Sequence, residues 1–175
     1  MSGTKSPWEE RVGRLLDPAR SGTFVWSYKP ADSGYYGGQP RIDWLACDIL
    51  GRLWMIEVKY LISDRRSCNL TTELSAGQRA ALTDVGQSYC GVPLLAIGRG
   101  STLFWFHWRD IAWLLAPEHP GSPLLPLDSA FLHHTWTGPK HWQPPLFAQV
   151  NEHLPGLVPQ AMRRVQLSLV PGSSP

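Results

Sequence analysis

The chain has 175 residues, of which 43% are hydrophobic, so it can bury one substantial core but not several. Charged residues make up 17% and aromatic residues 11%, a composition that excludes a disordered charged tail and a coiled coil. Sixteen basic against fourteen acidic residues leave a net charge of +2, which permits a nucleic-acid partner without requiring one.

Cysteine usage and hydropathy predict a cytoplasmic protein. The three cysteines, at positions 47, 68 and 90, are odd in number and form no C-x-x-C pair, as is typical of reduced thiols. The N-terminal residues lack the apolar stretch of a signal peptide, and no apolar run is long enough to span a bilayer. We therefore expect neither secretion nor a membrane partner.

The first predicted elements are a helix and a strand. Trp8, Val12 and Leu16 recur at helical spacing, and Asp17-Pro18 is expected to end the helix. The aromatic and β-branched run at residues 24–28 predicts a strand.

Residues 41–49 and 53–61 predict a β-hairpin, because two apolar runs flank a short turn that contains a glycine. Both faces of each run are largely apolar, so we expect the hairpin to be central in its sheet and covered by helices. Its few charged residues, Asp43, Glu57 and Lys59, stand out against that background.

The following elements complete an order of α-β-β-β-α-β-β-α, which is typical of a mixed α/β layer arrangement. Ser75-x-x-Gln78 has the spacing of a capping box and predicts a helix from there to about residue 89. Residues 92–97 and 102–108 predict two further strands, joined by a turn that contains two glycines.

Prolines divide the chain into two parts. Eleven of the sixteen prolines lie at position 117 or beyond, so regular structure should concentrate before Pro117. Asp110 is expected to cap a last short helix that ends at Leu115. We expect residues 1–115 to form the core, and residues 116–175 to form an irregular, Pro-rich extension that packs on the core or on a partner subunit.

The charged residues of the hairpin have the chemistry of a metal-dependent phosphodiesterase. Glu57 and Lys59 point to one face of their strand, and the hairpin should return Asp43 to a position opposite residue 58 or 59, give or take one residue. Two carboxylates can hold Mg²⁺, and an ammonium group can stabilise charge on a phosphate. A buried ion pair of Lys59 with Glu57 or with Asp43 is the alternative interpretation.

Six sequence features stand in the order seen in the PD-(D/E)XK nuclease superfamily, and over residues 6–110 the chain resembles its RecU-like Holliday junction resolvases in particular. The features are Trp8-Glu9-Glu10-x-Val12, Lys29-Pro30, Arg41-Ile42-Asp43, Gly51, Glu57-x-Lys59 and Gln78. The resemblance implies a restriction-endonuclease-like α/β fold, in which helices flank a mixed sheet. It also implies Mg²⁺ or Mn²⁺ as the cofactor.

The resemblance assigns a role to each matching residue. Asp43 and Glu57 would be metal ligands with the Val58 carbonyl as a third, and Lys59 would be the catalytic lysine. Glu9 would be the carboxylate of the first helix, which the helical wheel favours over Glu10 because Glu9 borders the apolar stripe.

Gln78 has two candidate roles. In the family pattern it would approach the metal site, whereas the capping box gives its side chain to the backbone of Ser75.

Basic and aromatic residues supply candidate DNA contacts. Lysine and arginine side chains bind phosphates, and tyrosines in a Gly-rich loop can stack on unpaired bases. The candidates are Lys29, Arg41, Arg65 and Arg66 for phosphates, and Tyr35 and Tyr36 for bases.

The expected function is that of a Mg-dependent, structure-selective endonuclease that nicks branched DNA such as four-way junctions. Such an enzyme would serve recombination and repair in a bacterial cell, or DNA processing in a phage-infected one. Two symmetric nicks imply a homodimer. The alternatives are another DNA nuclease of the superfamily, restriction-like or flap-cutting, and a catalytically weak DNA-binding module with the same fold.

Overall fold

The computed structural model describes residues 7–30, 42–62, 65–88 and 91–135. The helices are α1 Pro7–Leu16, α2 Pro18–Ser21, α3 Leu70–Glu73, α4 Ala76–Gln87 and α5 Trp108–Ile111, with 3₁₀ turns at Ala112–Leu115 and Leu127–Ser129. The strands are β1 Phe24–Tyr28, β2 Trp44–Asp48, β3 Leu53–Leu61, β4 Ser67–Asn69, β5 Gly91–Arg99, β6 Thr102–His107, β7 Leu124–Pro126 and β8 Leu132–Thr135.

The main sheet has six strands in the order β1-β2-β3-β5-β6-β8. Strands β3 and β5 are parallel, and every other neighbouring pair is antiparallel. Helix α4 lies between β3 and β5 in the chain and supplies the crossover that a parallel pair needs. The protein is therefore an α/β protein with a mixed sheet, as the order of predicted elements indicated.

The predicted hairpin is confirmed. Strands β2 and β3 pair from Trp44 with Ile56 to Cys47 with Leu53, and Gly51 takes a φ of +73° in the turn. The first strand of the hairpin begins at Trp44, three residues later than expected.

The Asp48 side chain stabilises the hairpin turn through internal hydrogen bonds. Its side chain accepts hydrogen bonds from the backbone N–H groups of Leu50 and Arg52 at 2.9 and 3.0 Å. The other carboxylate oxygen accepts from Arg52 Nε at 2.6 Å and from Trp54 Nε1 at 2.7 Å. Both members of the Asp48–Arg52 ion pair are buried, so Asp48 is a structural residue.

The sheet separates two apolar cores. On one face, α1 packs Trp8, Val12 and Leu16 against β3, which contributes Trp54, Ile56 and Val58. On the other face, a second cluster includes Leu82 of α4 and Leu61 of β3. Alternate β3 residues therefore enter opposite cores, which confirms that the hairpin strand is covered on both sides.

Three local features differ from the sequence-based prediction. Helix α1 ends at Leu16, as the Asp17-Pro18 pair predicted, but a second, unpredicted helix α2 follows, because the Asp17 side chain caps it and Pro18 is acceptable in a first helical turn. Residues 67–73 form β4 and α3, two short elements that the predicted order did not contain. Helix α5 begins at Trp108, so Asp110 lies inside the helix and does not cap it.

Part of the expected irregular extension has regular structure. Strand β8 extends the main sheet beyond β6, and β7 pairs with β4 in a separate two-stranded sheet. Phe131 and Leu132 pack against the α1-side core, and the ring of His133 lies 5.2 Å from that of Phe104. Residues 124–135 thus pack on the core, because β6 leaves an open edge that a following strand can pair.

Two further observations concern the described residues only. None of their helices combines the length and the hydrophobicity needed to cross a membrane. Cys47 and Cys68 are both free thiols.

Candidate functional site

The charged residues of the hairpin meet where β3 leaves its pairing with β2. Glu57 is buried, at 1% exposure, and Lys59 lies two residues further on the same face of β3. Asp43 directly precedes β2, and its Oδ2 accepts a hydrogen bond from the Val58 N–H at 2.8 Å. Extending the observed register by one pair places Asp43 opposite Glu57. This is one residue before the expected partner, residue 58, and within the one-residue tolerance of that prediction.

Glu57 is the centre of the site. Its Oε1 is 2.8 Å from Lys59 Nζ and accepts a hydrogen bond from Gln78 Nε2, whereas its buried Oε2 has no hydrogen-bond partner among the described residues. The pKa of Glu57 is raised to about 8. Burial is the largest cause and the charge of Asp43 adds to it, while Lys59 and a backbone hydrogen bond from Asp43 oppose both. Glu57 is thus a buried carboxyl group with one unused oxygen.

Asp43 shares this electrostatic environment. Desolvation raises the pKa of Asp43, the hydrogen bond from Val58 lowers it, and the charge of Glu9 raises it. Lys59 and Lys29 lower it to a smaller extent. Asp43 therefore interacts electrostatically with both Glu9 and Glu57.

Glu9 reaches the site from the first turn of α1. Its carboxylate forms an ion pair with Lys29, which follows β1. The neighbouring Glu10 is exposed and pairs with Arg14 along the helix. The sequence-based preference for Glu9 over Glu10 thus agrees with which of the two lies beside Asp43.

Trp44 helps to hold α1 in this position, and sequence reasoning missed it. Its Nε1 donates a hydrogen bond to the Glu9 carbonyl at 3.1 Å. A Cβ at Gly13 would lie only 2.3 Å from the Trp44 ring, so a glycine is required for this close approach. A glycine within the helix, together with a tryptophan next to Asp43, is the signal that could have indicated the contact.

Gln78 completes the capping box and also contacts Glu57. Its Oε1 accepts a hydrogen bond from the Ser75 N–H at 2.9 Å, and the Gln78 N–H is bonded to the Ser75 hydroxyl, which completes the capping box. Its Nε2 donates to Glu57. Sequence reasoning treated the two roles as competing, but an amide group has separate donor and acceptor ends.

The expected DNA-contact residues that the structure describes are Lys29, Arg65 and Arg66. Lys29 is engaged by Glu9, and Arg65 forms an exposed ion pair with Glu73 at 3.1 Å. Arg66 is exposed, and the structure gives its side chain no ion-pair partner among the described residues. The remaining candidates, Tyr35, Tyr36 and Arg41, lie outside the described residues.

The donor set fits a hard divalent cation. Carboxylate and carbonyl oxygens are the ligands that Mg²⁺ and Mn²⁺ prefer, and the unpartnered Glu57 Oε2 is a donor that such a cation would satisfy. Among the described residues, no group of three His, Cys, Asp or Glu side chains lies close enough to form a metal centre by side chains alone. The candidate ligands are therefore Asp43 and Glu57, with a backbone carbonyl.

No protein-family model and no curated protein sequence matches the chain. The residues of the site and their geometry therefore carry the functional argument.

Proposed function

We propose that this protein is a metal-dependent DNA endonuclease of the PD-(D/E)XK type that nicks branched DNA, similar to RecU-like Holliday junction resolvases. The observation that carries the proposal is the convergence of Asp43, Glu57 and Lys59 in a site where Glu57 Oε2 is buried without a partner. A purely structural ion pair would use both carboxylate oxygens, because an unpaired buried oxygen costs free energy.

The arrangement of elements supports the same proposal. The three charged residues lie on a hairpin whose second strand is parallel to β5, with α1 on one face of the sheet and α4 on the other. Glu9 enters from α1 and Gln78 from α4, so the matching sequence features come from four separate elements and meet in space. Their convergence in space supports the proposal beyond the similarity of the short motifs themselves.

Lys59 is the residue that acts on the substrate in this proposal. Its Nζ is held by Glu57 Oε1 at 2.8 Å and lies 3.4 Å from Gln78 Oε1. From there the ammonium group would donate hydrogen bonds to the scissile phosphate or to the attacking water, and stabilise the negative charge that develops on the phosphoryl oxygens. Gln78 fixes the orientation of Glu57 and so positions Lys59 indirectly.

Asp43, Glu57 and the Val58 carbonyl would hold the metal. Mg²⁺ or Mn²⁺ supplies Lewis-acid chemistry at such a site, because it increases the acidity of water and neutralises charge on phosphate oxygens. Glu57, with a pKa of about 8, would give up its proton to become a ligand. Glu9 adds negative charge to the site and is balanced by Lys29.

Branched DNA as the substrate and a homodimer as the active form complete the proposal. A four-way junction has two equivalent strands to nick, and a two-fold symmetric pair of subunits presents one site to each. The exposed Arg66 and the cation Lys29, beside the carboxylates, would contribute to contacts with phosphates.

The proposal is tested by nicking of a labelled four-way junction beside duplex and flap DNA in Mg²⁺. We expect symmetric nicks confined to the junction, with Glu57→Gln and Lys59→Met each reducing the rate at least a hundredfold. Glu10→Gln is the matched control, because Glu10 is an exposed carboxylate on α1 that faces away from the site. It should cleave at the wild-type rate.

The three DNA substrates also separate the alternatives. Cleavage of duplex or flap DNA in preference to the junction would point to another nuclease activity of the same site. Junction binding in EDTA without cleavage in either Mg²⁺ or Mn²⁺ would contradict the enzyme and leave a DNA-binding module.

A further inference from the structure

We infer that Glu73 competes with DNA for Arg65, and that a phosphate of the bound strand displaces the Glu73 carboxylate from the Arg65 guanidinium. Arg65 is then a phosphate-binding residue that the free protein keeps occupied, and Glu73 limits the affinity for DNA. The inference rests on the proposed function, because that function supplies the DNA and brings the scissile phosphate to Lys59. It adds a residue that regulates binding beside the candidate site.

Arg65 lies close to the site, on the face of the sheet that carries Lys59. Strand β3 ends at Leu61, and the Arg65 N–H donates a hydrogen bond to the Ile62 carbonyl at 3.3 Å, so the chain turns back directly after the strand. Leu61 and Cys68 belong to the same apolar core, on the α4 face of the sheet. Since Lys59 and Leu61 share one face of β3, the segment that follows β3 packs on the side where Lys59 lies.

The buried Cys68 thiol links the charges of the site to the Arg65–Glu73 pair. The pKa of this thiol is raised to about 12, with burial as the largest cause and the charge of Glu73 as the second. Lys59 and Arg65 lower it. Both cations therefore act on the same buried atom. Since every nucleotide of a DNA strand carries a phosphate, a strand bound at Lys59 can present a second phosphate to Arg65.

The backbone of Arg65 and Arg66 is held in place, whereas their side chains are exposed. Arg99 of β5 donates a hydrogen bond to the Arg65 carbonyl at 2.9 Å. The Leu127 N–H donates to the Arg66 carbonyl at 2.9 Å, next to the pairing of β4 with β7. A fixed backbone below a solvent-accessible guanidinium reduces the ordering that binding a phosphate requires.

Glu73 is held more firmly than its partner. It lies in the short helix α3, which the Asn69 side chain caps and which Arg79 joins to α4 through a hydrogen bond to the Leu74 carbonyl. The Glu73 side chain is 25% exposed, against 61% for Arg65. The guanidinium is therefore the group that moves when the pair opens, and the carboxylate stays in place.

The exchange of partners is favoured by the chemistry of arginine. An exposed ion pair such as Arg65–Glu73 contributes little free energy, because water and salt screen it. A phosphate accepts two parallel N–H bonds from one guanidinium, and binding to DNA also gains from the release of counterions. The pair is thus weak enough to open when DNA binds, but opening it still lowers the affinity.

The experiment measures binding of a labelled four-way junction to the full chain in EDTA, over a series of salt concentrations. We expect Glu73→Gln to bind about threefold more tightly than wild type, since the competing carboxylate is gone. Arg65→Gln should bind about fivefold more weakly, and the slope of affinity against salt should fall by about one.

Glu10→Gln is the matched control. It changes the net charge by the same amount and also removes a carboxylate from an exposed pair with arginine, but on α1. The junction affinity of Glu10→Gln should equal that of wild type. An equal gain in affinity for Glu10→Gln and Glu73→Gln would show an effect of net charge alone and would overturn the inference.

The double variant Arg65→Gln/Glu73→Gln separates competition from a local change of charge. If Glu73 acts through Arg65, its replacement has no effect once the guanidinium is absent, so the double variant should bind as weakly as Arg65→Gln. A gain of the same size with and without Arg65 would contradict the competition. Unchanged or weaker binding by Glu73→Gln would contradict it as well.

Nicking of the junction in Mg²⁺ by the same variants tells failure of this inference from failure of the proposed function. Tighter binding by Glu73→Gln without nicking by any of the proteins would contradict the enzyme and support the competition. Nicking with wild-type affinity of Glu73→Gln would contradict the competition alone. Absence of junction binding by wild type would overturn both.

Discussion

Glu57 shows how one side chain can be unfavourable for stability and useful for chemistry. Its burial disfavours the charged form, and the neighbouring Asp43 adds to this penalty. Lys59 and Gln78 offset part of it through the same oxygen, Oε1. The remaining free energy cost of ionising Glu57 would be offset by a bound cation, because a ligand that binds only the folded protein stabilises the folded state.

The pH dependence of stability follows from this residue. Glu57 keeps its proton up to a pKa of about 8 in the folded protein, whereas the unfolded chain releases it near 4.5. The folded state therefore binds more protons between these values, and the free energy of unfolding falls as the pH rises through that window.

Replacing Glu57 by glutamine should remove this dependence. In EDTA at pH 8, we expect Glu57→Gln to be more stable than wild type by an amount on the order of a few kcal/mol, with the difference vanishing near pH 5. Urea unfolding at both pH values is the measurement. Equal stability of the two proteins at pH 8 would show that Glu57 is ionised without cost in the folded state.

Asp48 makes the opposite contribution, because all its hydrogen bonds serve the fold. Asp48→Ala removes the ion-pair partner of the buried Arg52 and the acceptor of the Trp54 indole, and should cost about 3–5 kcal/mol in urea unfolding. Glu10→Gln, which removes a carboxylate from an exposed pair, should change stability by less than about 1 kcal/mol. A small effect of Asp48→Ala would mean that the hairpin turn does not need this internal acceptor.

At the scale of elements, the start of α4 couples folding to the site. The Ser75–Gln78 capping box satisfies backbone N–H groups at the N-terminus of α4, and the Gln78 side chain also forms a hydrogen bond with Glu57 on β3. The orientation of a helix terminus therefore sets the position of a carboxyl group on the sheet.

Two variants separate the role of Gln78 in helix capping from its role in positioning Glu57. Ser75→Ala and Gln78→Ala each break the capping box and should each lose about 1 kcal/mol of stability. Only Gln78→Ala removes the bond to Glu57, so we expect a fall in junction nicking of at least tenfold for Gln78→Ala and near wild-type nicking for Ser75→Ala. Equal nicking by both variants would contradict the positioning role of Gln78.

At the scale of the whole molecule, the sheet reaches beyond the predicted core. Strand β8 covers one edge of β6, and β7 pairs with β4 at Ser67–Asn69. These strands come from the Pro-rich part of the chain, where prolines lie at the ends of short strands and between them rather than within a long one.

Truncation measures the contribution of these strands. A chain ending at residue 115 loses β7 and β8 and exposes Phe104 and Trp105 at the open edge of β6. We expect it to unfold at a clearly lower urea concentration than a chain ending at residue 135, which keeps both strands. Matching midpoints for the two chains would show that residues 116–135 add nothing to the stability of the core.

The sequence by itself determined the elements that depend on local patterns. The bounds of β1 and β3 were predicted to the residue, because apolar and β-branched runs end at turn residues there. The capping box at Ser75 and the preference for Glu9 over Glu10 also came from spacing alone. Helix and strand periods are local properties, so the sequence expresses them directly.

Only the tertiary structure decided which of these parts meet. The hydrogen bond of Asp43 to Val58, the packing of Trp44 against Gly13 and the partnerless oxygen of Glu57 all join residues that are distant in the chain or depend on burial. The same is true of β8, a short strand with no strong pattern that forms because β6 offers an edge. Burial, long-range pairing and the pKa values they produce are properties of the packed chain, and short segments of sequence do not encode them separately.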